Sequence, residues 1–162
     1  IPCGDWITFD MDKISKLKEA HSATMAAIEE MLPPINLNST KQIKDYFREE
    51  LDLELENTKL DYLLGLLEKF DENSDTYDTI HGLTLWLKLK FGVKNYIDCI
   101  LKHHQDGTVL LRNDTGRLEL PNHSPVPYAP EIRNCIISFS VGVLEAMNEH
   151  RSAALSLLKS AQ

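Results

Sequence analysis

Asn36, Asn38, Ser39, Lys41 and Gln42 crowd into one short stretch, bracketed by Ile35, Leu37 and Ile43. Ser39 and Gln42 have the spacing of a capping box, in which each side chain satisfies an orphan backbone donor of a first helical turn. The spacing therefore predicts a helix opening directly behind an Asn-x-Asn-Ser turn. A helix start carries partial positive charge and free N–H groups, so it can hold a phosphate. The same residues also make an ordinary structural helix start, since most caps are only caps.

Other clusters offer less chemistry. His103 and His104 stand near Asp106, but adjacent histidines on a helix point about 100° apart and rarely chelate one ion. No Gly-x-Ser-x-Gly element and no glycine-rich phosphate loop occurs in the sequence. The acids of the middle third, from Asp52 to Asp78, lack calcium-loop spacing and read as a solvated face.

The elements that would position these groups follow from periodicity. Ile14, Leu17, His21, Met25, Ile28 and Leu32 recur near helical spacing, which predicts a helix over 10–32 that Pro33-Pro34 stops. A second helix is expected over 40–51, with Ile43, Phe47 and Leu51 on one face. A third is expected over 58–70 with Asn57 as its cap. A long helical segment is expected over 75–104, with a kink or break near Gly92. From Thr108 the period changes. Val109-Leu110-Leu111 and Arg117-Leu118-Glu119-Leu120 flank a turn-forming stretch, so a hairpin is expected over 108–120. A strand is expected from Ile137 to Val143, and a helix from Leu144 to Lys159. The predicted fold class is mainly α: an antiparallel pair of long helices with shorter helices, a small β-hairpin and a C-terminal strand–helix segment. By size the chain is one domain, with a helical part at 4–105, hairpin, proline-rich loop and strand at 106–143, and a terminal helix at 144–162.

The order of short motifs carries a resemblance. Asn36-x-Asn38-Ser39-x-Lys41-Gln42 resembles the turn at the thumb of family A DNA polymerases, the bacterial DNA polymerase I type. Upstream, Gly4-Asp5-Trp6-Ile7-Thr8-Phe9-Asp10 followed by Leu17 is similar to the family's approach to its first thumb helix. Downstream, the run from Leu87 to Asp98 is similar to the second long thumb helix. Asp106-Gly107-Thr108-Val109 and Thr115-Gly116-Arg117-Leu118 resemble the elements that lead towards the palm.

The resemblance, covering roughly 4–137, implies a module that holds duplex primer–template DNA by its backbone. It implies contacts from Asn38, Ser39 and Lys41 at the turn, Lys94 and Asn95 near the end of the long helix, and Arg117. Backbone contacts fix position and carry no sequence information. Two departures bear on this. Phe91-Gly92-Val93-Lys94-Asn95-Tyr96 stands where the family has Lys-Leu-Lys-Ser-Thr-Tyr, and no Asp stands near Ser138-Phe139-Ser140, where the family's metal-binding carboxylate is expected. The chain is therefore expected to be non-catalytic by itself, as a fragment or degenerate relative of the full DNA-replicating enzyme. Mg2+ would belong to palm carboxylates outside this sequence.

Composition sets the competing readings. The net charge of −8 weighs against a free-standing nucleic-acid binder, because neutralisation of phosphate drives that binding. It favours an acidic helical domain that meets a basic protein partner. Cys3, Cys99 and Cys135 show no Cys-x-x-Cys spacing, which suggests reduced thiols and a cytoplasmic protein. Asn-x-Ser/Thr patterns at Asn38, Asn113 and Asn122 would instead suit a secreted four-helix signalling protein. No apolar run reaches membrane-spanning length, and no membrane partner is expected. Ile1 in place of an initiator Met suggests a processed product or a piece of a longer chain that carries the remaining polymerase domains.

Overall fold

Ser39 sits in extended backbone (φ −99°, ψ 108°) and its hydroxyl accepts from the Gln42 N–H, which starts a helix at Thr40. In the computed structural model, which describes residues 4–112, 119–124 and 130–143, helices dominate. In chain order the elements are β1 (Gly4–Phe9), α1 (Met11–Met31), α2 (Thr40–Leu51), α3 (Leu60–Leu67) and α4 (Asp75–Gly92). A π-helical turn (Val93–Ile97) joins α4 to α5 (Asp98–His103), and β2 (Thr108–Arg112), α6 (Pro130–Arg133) and β3 (Ile136–Phe139) follow. The fold is mainly α with a small antiparallel sheet.

The chain divides into two compact units, Ile1–His21 with Phe91–Gln162, and Ser22–Lys90. Both boundaries fall inside long helices, α1 and α4.

The first unit is built on the sheet, in the order β2-β1-β3 with both pairings antiparallel. Ile7 and Phe9 of β1 and Val109 and Leu111 of β2 alternate onto one face, as period 2 requires, and are buried there. Ile14 of α1 and Ile97, Cys99 and Ile100 close this core. Thr8 pairs with Ser138 but Phe9 pairs with Ile136, so Ile137 is an extra residue in β3 and is exposed. Lys18 of α1 bonds Asp98 at 2.7 Å.

The second unit has its own core. Ile43 and Phe47 of α2, Leu63 and Leu66 of α3, and Ile80, Leu83, Trp86 and Leu87 of α4 are buried together. Leu32 packs over Gly82, and the Trp86 indole donates to Glu29 at 2.8 Å. These partners run in opposite order along the chain, so the expected antiparallel pairing of the long helices holds here. In the first unit, His21 beside Gly92 and Lys18 beside Asp98 run the same way.

Several expectations need correction. Residues 4–9 form a strand, whereas the resemblance suggested only a lead-in to a helix. Asn57 does not cap α3. Its side chain accepts from the Lys59 N–H at 2.9 Å in a tight local turn, and the helix starts two residues late, at Leu60. The long segment at 75–103 stays helical through Gly92 and widens into the π turn instead of breaking. Of the hairpin, β2 and a bridge between Arg112 and Glu119 are present, with both N–H···O bonds at 2.8 Å. Its turn at 113–118 and the helix expected from Leu144 lie outside the described residues. The strand expected at 137–143 ends at Phe139, where Ser140 Oγ takes the Val143 N–H.

Candidate nucleic-acid interface

The turn ahead of α2 is held by four internal bonds. Asn36 Oδ1 accepts from the Asn38 N–H at 3.0 Å, and the Asn36 carbonyl accepts from the Ser39 N–H at 2.9 Å. Ser39 Oγ accepts from the Gln42 N–H at 3.2 Å, and Gln42 Oε1 accepts from the Asn36 N–H at 2.8 Å. Half of the expected capping box therefore forms. The reciprocal half is displaced, because the Ser39 N–H is already bonded to Asn36 and the glutamine reaches further back. Ile35 and Leu37, half-buried against the second core, fasten the turn from below.

Asn38, Ser39 and Lys41 share this turn. Lys41 points out, with 87% of its side chain exposed, and lies 3.9 Å from Asp45. Such an exposed pair is weak and leaves the ammonium available. Asp45 is itself bonded to Arg48 at 2.8 Å. The Asn38 side chain meets a residue that sequence reasoning passed over. Lys90 Nζ donates to Asn38 Oδ1 at 2.6 Å, and the same ammonium lies 5.3 Å from the centre of the Trp86 ring. The i, i+4 spacing of Trp86 and Lys90 on one helix could have signalled their contact. Nothing in the sequence links Lys90 to Asn38, 52 residues away.

Lys94 and Asn95 belong to the first unit, on the π turn, with Lys94 exposed. A π turn inserts one residue into a helix and disturbs the bonding ladder, and such insertions gather at functional sites. Here Asn122 Nδ2 donates to the Asn95 carbonyl at 2.7 Å. Asn122 is the second residue that sequence spacing missed. Its nitrogen is the atom that a sugar would occupy in an Asn-x-Ser glycan, so the folded loop uses it otherwise. Arg117 lies outside the described residues. The six candidates thus fall into one turn in one unit, a helical pair in the other, and Arg117.

His104 Nδ1 accepts from the Gly107 N–H at 3.2 Å, which makes it a turn-stabilising acceptor. Among the described residues, no three His, Cys, Asp or Glu side chains gather to hold a metal.

Cys99 and Cys135 are buried free thiols. Burial pushes both thiols up. A backbone hydrogen bond at Asn122 and the Lys102 charge oppose this at Cys99, while at Cys135 Lys13 opposes it and Asp10 adds to it. Both groups are neutral at neutral pH and give up their protons later in the folded chain than in the unfolded one. Stability is thus unaffected below the ordinary thiol range and falls as pH rises through and above it, because the unfolded state ionises first. We expect Cys99 and Cys135 in the native protein to react slowly with a thiol reagent at pH 8, and the denatured protein to release three thiols without reductant. A missing pair would point to a disulfide and to the secreted reading.

No protein-family model matches this sequence, and no curated protein is similar to it.

Proposed function

We propose that this chain is a non-catalytic, thumb-like module that holds duplex primer–template DNA by its backbone, as part of a family A DNA polymerase. The observation that carries the reading is the Asn36–Gln42 turn. Four internal bonds fix its shape, its apolar residues pin it to a core, and its cation faces outward. A rigid turn with outward donors suits an acceptor-rich, sequence-independent ligand, and phosphodiester oxygens are such a ligand. The pairing of long helices in each unit and the turn at Asp106-Gly107 are consistent with the motif order that suggested the family.

The acidic balance limits affinity. Duplex binding should fall in the non-specific range of about 10⁻⁴ to 10⁻⁶ M at physiological salt. With three phosphates neutralised, log affinity should fall by about 2 to 3 units per log unit of salt. Changing Lys41, Lys94 and Arg117 together to Ala should flatten that dependence in a fluorescence-anisotropy titration. Absence of duplex binding by the unaltered chain at low millimolar salt would reject the reading and leave the acidic protein-interaction domain in first place.

A further inference from the structure

Asn38 carries one acceptor and two donors on the same planar amide, and either end can face a ligand. The direction it faces decides what it can bind. Lys90 settles this direction. Its ammonium has donors only, so the bond at 2.6 Å must engage Asn38 Oδ1 and turns the NH2 group away from Lys90. The ammonium is placed before Asn38 arrives. It lies over the face of Trp86, which attracts a cation. Trp86 is in turn buried in the second core and fixed by its bond to Glu29.

We infer that Lys90 is a positioning residue: it locks the Asn38 amide with its carbonyl inward, so that the turn offers the NH2 donors to an acceptor such as a phosphodiester oxygen. This rests on the DNA-backbone reading above and names the device that tunes the turn for it. An unlocked amide would spend part of its time with Oδ1 towards the phosphate, where two acceptors repel.

Two measurements test the inference separately. In the 15N-labelled 162-residue chain, Lys90→Met should move the Asn38 side-chain NH2 resonances, and Lys90→Arg, which keeps a donor-only cation, should largely restore them. Unmoved resonances in Lys90→Met would overturn the lock. With a short fluorescent duplex, Lys90→Met should weaken binding about two- to threefold, because the freed amide presents its NH2 to the phosphate only part of the time and affinity falls by that fraction. The salt slope should fall by clearly less than the roughly 0.9 of a direct phosphate contact, and Asn38→Ala should cost less on top of Lys90→Met than it does alone. If Lys90→Met instead lowers the salt slope by about 0.9 and Asn38→Ala adds its full loss, Lys90 itself meets a phosphate and the positioning role is wrong. If the unaltered chain fails to bind the duplex, the DNA reading fails, and the NH2 resonances alone decide whether Lys90 locks Asn38.

Discussion

Replacing Phe47 by Ala should cost the second unit about 3 to 5 kcal/mol, the usual range for removing a fully buried aromatic side chain. Phe47 is 1% exposed and sits among Ile43, Leu63, Leu83 and Trp86 in the same core. The loss has two parts. The ring's transfer energy disappears, and a void opens that α2 can close only by tilting. Tilting is resisted, because the turn before α2 and the left-handed Asp52 behind it fix both ends. Trp86, 3% exposed, reports the event directly, so urea unfolding followed by indole fluorescence gives the value. Lys41→Ala, on the surface of the same helix, should stay within about 0.5 kcal/mol. A Phe47→Ala cost below about 1 kcal/mol would mean that the core refills, and that the ends of α2 are not the fixed points described above.

The second large effect is expected at Gly107. Gln105 and Thr108 exchange two backbone bonds of 2.8 and 3.0 Å around Asp106 and Gly107, which both have positive φ, 53° and 83°. This is a two-residue hairpin turn of the kind that needs left-handed backbone at both central positions. Space is short as well as conformation. A Cβ on residue 107 would lie 3.2 Å from the Phe9 carbonyl oxygen, while the Gly107 carbonyl accepts from the Phe9 N–H at 2.8 Å. Gly107→Val should therefore cost about 2 to 3 kcal/mol, the upper part of the range for a non-glycine residue forced to positive φ. The readout is thermal unfolding together with exchange of the Phe9 amide, which should lose protection. Asp106→Gly, where the backbone is already left-handed, should leave stability within about 0.5 kcal/mol or improve it slightly.

What the sequence made legible was local. The bounds of α2 were readable because Ser39 and the Ile43–Phe47–Leu51 face mark them within a few residues. The C-terminal end of α1 was readable because Pro33-Pro34 cannot continue a helix. β1 was missed although Ile7 and Phe9 alternate with Trp6 and Thr8. The run is short, and its partners begin at Thr108 and Ile136, far along the chain. The π turn was half legible. Gly92 marked a weak point, but the compensating bond from Asn122 comes from a loop with no periodic signal. The candidate site follows the same rule. Ser39 caps the helix start that its spacing to Gln42 predicts, and Lys41 follows in the first turn. The lock on Asn38 was hidden because it depends on a helix 52 residues away, and pairings of that kind come from tertiary packing alone.

The division of the chain between its two cores has a consequence for synthesis. Every buried residue of the second core among the described residues lies between Ile43 and Leu87, so that core has all its parts once position 90 or so has left the ribosome. The first core takes Ile7, Phe9 and Ile14 from the start of the chain and Cys135, Ile136 and Val143 from far downstream. Its earliest strand, β1, emerges with both edges bare and must wait for β2 and then β3 to be made. At about 5 to 20 residues per second that wait lasts several seconds, long compared with helix and hairpin formation. During that interval the strand most exposed to wrong pairing is the one carrying Trp6, Ile7 and Phe9. A nascent chain arrested with residues up to 100 outside the ribosome should hold a protease-resistant 22–90 segment and a β1 that is still open to cleavage.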